Sequence, residues 1–205
     1  MIDVTTDGAL TLITLNRADK ANALTAQMLE AMADAVEGAS DAQALILTGA
    51  GKVFSAGMDL DEAKSGLATS PVWERLSGAI AAFPGLSIAA LNGTVAGGAM
   101  GMVLACDLRV SVPSAKMFYP VMKLGFLPQP SDPMRLAELI GPARAKLILM
   151  GGQKIMVEQA QNIGLIDEIV SDGDVLSRAR SLAADTLAAA PDHARAIKAF
   201  FQTPR

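Results

Sequence analysis

Short strand-like segments alternate with helical segments along the first half of the chain, and this order limits the fold more than any other feature. Residues 44–47, 86–91 and 108–112 are rich in apolar residues and short enough to be buried strands. The residues between them include segments with helical periodicity or helix-capping signals. The sequence therefore predicts an α/β fold in which right-handed β-α-β crossovers join the strands.

The two ends of the chain have simpler signals. Asp7-Gly8 is a strong turn dipeptide between two alternating segments, so a β-hairpin is predicted at the start. Thr25 precedes an apolar stripe at helical spacing and is predicted to cap that helix. Beyond Ser131 the chain is predicted to be mostly helical, with one more strand at residues 166–170.

Composition argues against several classes of function. The net charge is −4 and no basic stripe is present, so nucleic acid is not an expected partner. No apolar run approaches the roughly 18 to 20 residues that span a bilayer. The first residues lack the features of a secretory signal, so we expect a cytoplasmic protein that does not enter membranes. Neither metal-ligand spacing nor the dinucleotide-binding glycine pattern is found, so no metal and no NAD are expected.

Two loops of small residues, at 54–60 and 92–101, follow predicted strands. Glycines allow positive φ and close approach of a ligand to the main chain, so each loop could present a free N–H group. Where such a loop begins a helix, the unpaired amides and the helix dipole favour negative charge. The pattern therefore predicts either an oxyanion hole or, as the ordinary alternative, tight packing of the turn.

These loops belong to a series of five motifs in order. They are Leu15-Asn16-Arg17 with Asn22-Ala23-Leu24, Phe54-Ser55-Ala56-Gly57-Met58-Asp59-Leu60, the segment 89–99, Ala105-Cys106-Asp107-Leu108-Arg109 and Gly164-Leu165-Ile166-Asp167. Together they resemble the crotonase superfamily, the enoyl-CoA hydratase and isomerase family. The resemblance implies a crotonase-like α/β spiral of β-β-α turns with a helical C-terminal part. We expect a core over residues 1–140 and a shortened helical region over 141–205.

The resemblance also implies a site for an acyl-coenzyme A thioester. The two oxyanion N–H groups would be those of Met58 and Gly98, and the coenzyme A adenine would lie near the backbone of Ala56 and Gly57. The cations near its phosphates would be Arg17, Lys20 and Lys52. Coenzyme A is then part of the substrate and no further cofactor is expected. Relatives usually assemble as trimers or paired trimers, so a homotrimer or hexamer is expected.

The sequence departs from the family at the two glutamates of a hydratase. Aligning the motifs puts these positions at Gly101 and Val121, which cannot titrate. Residues 118–127 resemble a stretch of some double-bond isomerases, and isomerisation needs one base. The matching position there is Gln129, and the nearest carboxylate is Asp132, which precedes Pro133 and could instead cap a helix.

Three hypotheses follow. The first is an acyl-CoA double-bond isomerase in which Asp132, rather than His193 or Tyr119, is the base. The second is a conventional enoyl-CoA hydratase, and the third is a non-catalytic acyl-CoA binder that keeps the fold.

Overall fold

The computed structural model describes residues 1–202, which form ten strands and ten α-helices. The strands are β1 (Ile2–Asp7), β2 (Leu10–Leu15), β3 (Ala44–Gly49), β4 (Val53–Ser55), β5 (Leu86–Leu91), β6 (Thr94–Ala96), β7 (Leu108–Ser111), β8 (Lys116–Phe118), β9 (Ile155–Met156) and β10 (Glu168–Ile169). The helices are α1 (Ala26–Gly38), α2 (Leu60–Ala63), α3 (Val72–Ala82), α4 (Ala99–Ala105), α5 (Val121–Leu124), α6 (Asp132–Ile140), α7 (Pro142–Leu149), α8 (Val157–Asn162), α9 (Val175–Ala188) and α10 (Pro191–Gln202).

The strands form two sheets between which the chain alternates. The larger sheet has the order β1-β2-β3-β5-β7-β10, and the smaller has the order β4-β6-β8-β9. In each turn a long strand of the first sheet is followed by a short strand of the second, as in β3-β4, β5-β6 and β7-β8. Neighbouring turns pair in parallel in both sheets. This arrangement confirms the predicted α/β spiral of β-β-α turns.

The core lies between the large sheet and the helices beside it. Leu45, Ile46 and Ala90 on the central strands are fully buried, as expected for strands that are covered on both faces. Helices α1, α3 and α4 pack in a row, while α9 packs on β3 and β5. The core thereby holds fixed the strand ends from which the two glycine-rich loops leave.

Several local predictions are confirmed and two need correction. The hairpin β1–β2 is antiparallel, and the Thr25 hydroxyl accepts a hydrogen bond from the Met28 N–H at 3.2 Å. The last predicted strand is shorter than expected, because only β10 pairs with β7. The sequence also predicts a buried helix over residues 97–106, but α4 begins at Ala99, since Gly97 has a φ of +55° that a helix does not allow.

The region after residue 140 is mostly helical, but it also contributes a strand to each sheet. Strand β9 pairs with β8 in the small sheet, and β10 pairs with β7 in the large one. The boundary at residue 140 stays a prediction. Among residues 1–202, no helix is long and apolar enough to cross a bilayer.

Candidate active site

The main chains of the two glycine-rich loops are in direct contact. Gly57 has a φ of +90°, and a Cβ atom added there would lie 2.6 Å from the carbonyl oxygen of Ala96. Gly97 has a φ of +55°, and its Cβ would lie 3.9 Å from the Cα atom of Gly57. Glycine adopts such backbone angles without steric cost and adds no side chain to the contact. Gly57 is therefore required by both its φ and the close contact, whereas Gly97 is required by its φ alone.

The Met58 amide is left without an acceptor by the hydrogen bonds of its neighbours. The Leu24 N–H donates to the Gly57 carbonyl at 2.8 Å, and the Asp59 N–H donates to the Leu24 carbonyl at 2.9 Å. These two bonds bridge the Asn-Ala-Leu motif to the loop on either side of Met58. Within the described chain the Met58 N–H donates to no acceptor.

The Gly98 amide is unpaired for a different reason. Gly98 is the residue before α4, and the first N–H groups of a helix have no acceptor inside the helix. The preceding Gly97 N–H donates to the Phe118 carbonyl at 3.0 Å, but the Gly98 N–H has no acceptor among residues 1–202. A Cβ atom at Gly98 would lie 2.9 Å from the indole of Trp73. The Trp73 ring therefore packs directly against Gly98.

Met58 and Gly98 both line one cavity of about 150 Å³. The other lining residues are mainly apolar and aromatic, and they include Trp73, Phe118, Val121, Leu124 and Phe126. Tyr119 is the one lining residue of the described chain with a titratable side chain. An apolar cavity lined by two residues whose amides are unpartnered could hold a short acyl group with its carbonyl oxygen at those amides.

Asp132 lies behind this cavity rather than on its wall. Its side chain is 1% exposed, and its Oδ2 atom accepts a hydrogen bond from the Tyr119 hydroxyl at 2.9 Å. Its Oδ1 atom has no hydrogen-bond partner in the described residues. Burial raises the pKa of Asp132 to about 6, although the Tyr119 hydrogen bond and Arg135 act in the opposite direction. Such a carboxyl group could accept a proton near neutral pH and return it.

The interpretation of Asp132 as a helix cap is wrong. Helix α6 begins at Asp132 itself, and Ser131 occupies the N-cap position without a capping hydrogen bond from its side chain. The Asp132 carboxylate bonds to Tyr119 instead. His193, which was not predicted to be the base, is exposed on α10 and does not line the cavity.

Gly101 lies directly against Asp132. A Cβ atom at Gly101 would lie 2.8 Å from Asp132 Oδ1 and 3.2 Å from Oδ2. The space that a side chain at residue 101 would occupy is therefore filled by a carboxylate from α6. Val121 is on the cavity wall and also supplies no titratable group. This contact was not predicted from the sequence, and the one available signal was a glycine at a position where the family resemblance implies a glutamate.

The three predicted cations have different surroundings. Arg17 Nη1 donates to Asp59 Oδ2 at 2.6 Å and to the Ala23 carbonyl at 2.9 Å. The hydrogen bond from Arg17 lowers the pKa of Asp59, so this ion pair is kept over a wide pH range and anchors the loop that contains Met58. Lys20 and Lys52 are exposed and form no ion pair with any described residue.

A family model, relatives of known sequence and solved structures all match this chain and point to the same family. Residues 5–205 match the family model described as enoyl-CoA hydratase/isomerase. YngF of Bacillus subtilis (strain 168) is 35% identical over 92% of this chain and 76% of its own length. The short-chain-enoyl-CoA hydratase of Clostridium acetobutylicum is 31% identical over 90% of this chain and 74% of its own length. The structure of Pseudomonas aeruginosa DspI superposes with a TM-score of 0.91 at 31% identity, covering 98% of this chain and 86% of that one.

The spiral of β-β-α turns is thus the fold of the crotonase superfamily, as the structural neighbours show. The chain belongs to the enoyl-CoA hydratase/isomerase family.

Proposed function

We propose that this protein moves the double bond of an enoyl-CoA thioester by stabilising its enolate. In this proposal the thioester oxygen accepts hydrogen bonds from the Met58 and Gly98 amides, and Asp132 is the base. The observation that carries the proposal is that two residues with unpartnered amides line one apolar cavity, and a lining tyrosine is hydrogen-bonded to a buried carboxyl group. Loss of one such donor typically costs about 2.7 to 4 kcal/mol of transition-state stabilisation, so this pair would be the main catalytic device.

Isomerisation is favoured over hydration by the number of titratable groups at the site. Hydration needs one group to activate water and another to deliver a proton to carbon, whereas isomerisation can use one group for both proton transfers. Gly101 and Val121 supply neither group, and the Asp132–Tyr119 pair shares one proton. The site therefore has one group that can accept and return a proton, as isomerisation requires, rather than a separate acid and base.

Coenzyme A recognition is proposed at the loops that flank the cavity. Ala56 and Gly57 offer main chain for the adenine, and the exposed Lys20 and Lys52 have no competing carboxylate partner in the described chain. Because Arg17 is already paired with Asp59, its contribution to phosphate binding would be smaller than theirs. The segments that contain Lys20 and Lys52 are in contact, since a Cβ atom at Gly51 would lie 3.1 Å from the Cβ atom of Ala18.

Two alternatives have support of their own. A conventional hydratase is favoured by the name of the relative from Clostridium acetobutylicum, a short-chain-enoyl-CoA hydratase. A non-catalytic acyl-CoA binder is favoured by the cavity wall, on which none of the described lining residues carries a carboxylate. A trimeric or hexameric assembly completes the proposal, on the strength of the family resemblance.

Three assays on the purified protein distinguish these functions. We expect conversion of 3-enoyl-CoA to 2-enoyl-CoA, little hydration of crotonyl-CoA, and thermal stabilisation by butyryl-CoA, which can bind but not react. Turnover of crotonyl-CoA at a rate comparable with isomerisation would support the hydratase. Stabilisation by butyryl-CoA with no turnover of either substrate would support the binder.

A further inference from the structure

Tyr119 lines the cavity, and its hydroxyl is hydrogen-bonded to the buried Asp132 carboxylate. Tyr119 is 5% exposed. Its hydroxyl donates to Asp132 Oδ2 at 2.9 Å and accepts a hydrogen bond from the Gln129 N–H at 3.3 Å. The phenol oxygen therefore has one neighbour that can take its proton, and that neighbour is the buried carboxylate.

Asp132 has no comparable access to the cavity. It is absent from the lining residues, and its carboxylate is enclosed by Tyr119 on one side and by Gly101 on another. The start of α6 is also fixed, because the Ser131 N–H donates to Glu74 Oε1 at 3.1 Å and ties α6 to α3. A proton that moves between an acyl group in the cavity and Asp132 has Tyr119 in its path.

We propose that Tyr119 is a catalytic residue that carries protons between the acyl chain and Asp132, an inference that rests on the proposed isomerisation. A relay of this kind would explain how a carboxyl group with 1% exposure takes part in chemistry on a ligand. It assigns the contact with the substrate to Tyr119 and the storage of the proton to Asp132.

The relay balances over two steps. In the first, the Tyr119 oxygen accepts the proton from C2 of a 3-enoyl thioester while the phenol proton moves to Asp132 Oδ2. The electron pair of the broken C–H bond forms the dienolate, whose oxygen lies at the Met58 and Gly98 amides. In the second, Asp132 returns its proton to Tyr119, and Tyr119 delivers one to C4. The double bond has moved from C3–C4 to C2–C3, and both side chains regain their starting state.

The two transfers of each step must be concerted. Burial and the neighbouring Asp132 both raise the pKa of Tyr119, so a free phenolate is strongly disfavoured. The phenol oxygen can take a proton from carbon only as its own proton leaves to the carboxylate. The relay therefore requires Asp132 to be ionised, and turnover of the parent protein should rise as the pH increases through about 6.

The test compares Tyr119→Phe and Asp132→Asn with the parent in the 3-enoyl-CoA isomerase assay over pH 5 to 9. Thr48→Val is the matched control, because it also removes a buried hydroxyl that donates a hydrogen bond, to the Ala90 carbonyl at 2.9 Å, away from the cavity. We expect both test variants to lose at least about 10²-fold in kcat at every pH, with unchanged affinity for butyryl-CoA. Thr48→Val should keep the kcat and the pH profile of the parent.

A role for Tyr119 in positioning alone gives a different result. The Tyr119 hydrogen bond lowers the pKa of Asp132, so its loss would move the acid limb of the profile to higher pH and leave the plateau kcat within a few fold. That outcome, with Asp132→Asn inactive, would overturn the relay and leave the proposed function intact. A parent protein without isomerase activity would overturn the proposed function and the relay together.

Discussion

Burial disfavours the charged form of Asp132, so the free energy of unfolding should depend on pH. The pKa of Asp132 is raised from 3.8 to about 6, chiefly by burial. The folded protein therefore holds this proton more tightly than the unfolded chain does. The stabilising contribution is fully present below about pH 3.8 and is lost as the pH rises through about 6.

We therefore expect Asp132→Asn to stabilise the protein at pH 8 while it abolishes turnover. Asparagine is neutral and can still accept the Tyr119 hydrogen bond, so the free energy of unfolding should rise by roughly 1 to 3 kcal/mol at pH 8. At pH 4 the difference should nearly vanish. Urea denaturation at both pH values measures this, and equal stability of parent and variant at pH 8 would contradict a raised pKa.

Gly101 is the second residue whose effect can be predicted. Gly101→Ala places a methyl group 2.8 Å from the Asp132 carboxylate, which must then shift away from Gly101 and change its hydrogen bond with Tyr119. We expect a loss of about 1 to 3 kcal/mol in the free energy of unfolding and a lower kcat.

Gly78→Ala is the matched control for that substitution. Gly78 also lies in a helix, α3, and a Cβ atom there would meet no heavy atom within 4 Å. Alanine should stabilise this helix by about 0.5 to 1 kcal/mol and leave kcat unchanged. If the two alanine variants are equally stable by urea denaturation, the close contact at Gly101 is not rigid.

At the scale of elements, the site depends on the contact between the two glycine-rich loops. Gly57→Ala would combine an unfavourable φ of +90° with a Cβ atom 2.6 Å from the Ala96 carbonyl oxygen. The loops should separate and the Met58 amide should move away from that of Gly98. We expect isomerase turnover to fall by about 10²-fold, as for the loss of an oxyanion donor.

Gly8→Ala separates the effect of φ from the effect of the contact. Gly8 has a φ of +59°, but a Cβ atom there would meet nothing within 4 Å. The variant should lose about 1 to 2 kcal/mol of stability from backbone strain and keep its turnover. Steady-state kinetics and thermal unfolding of both variants test this, and full activity of Gly57→Ala would show that the loop contact does not set the amide positions.

Secondary-structure elements could be predicted from the sequence more accurately than the contacts between them. Asp7-Gly8 and Thr25 are local signals, since a turn dipeptide and a capping hydroxyl act on residues a few positions away, and both were confirmed. The Tyr119–Asp132 hydrogen bond and the packing of Asp132 on Gly101 join separate elements. No local sequence pattern indicates such contacts. Asp132 could therefore be predicted as a base from the sequence, but its hydrogen bond to Tyr119 could not be predicted.

At the scale of the whole molecule, apolar residues near α7 support the expected assembly. In the apolar stretch 147–156, Ile148, Leu149 and Ile155 are buried in the core. Leu147 and Met150 remain 45% and 64% exposed. Exposed apolar residues of this kind are typical of an interface when they form a continuous patch.

We expect a trimer or hexamer that Met150→Glu weakens by placing a charge on this surface. Met122→Glu is the control, since Met122 is also 64% exposed but lies on α5, beside the cavity. Light scattering over a range of micromolar concentrations should show dissociation of the first variant and not of the second. A parent protein that is monomeric throughout this range would contradict the prediction.

The packing of Trp73 against Gly98 gives the protein a built-in optical reporter. Trp73 is the one tryptophan among 205 residues, so its emission can be assigned without mutagenesis. Its indole N–H donates to the Leu67 carbonyl at 2.8 Å, and its ring lines the cavity beside the Gly98 amide. An acyl group that enters the cavity would change the polarity around this ring. Intrinsic fluorescence should therefore follow ligand binding directly, and stopped-flow recording could time the arrival of an acyl-CoA separately from any chemical step.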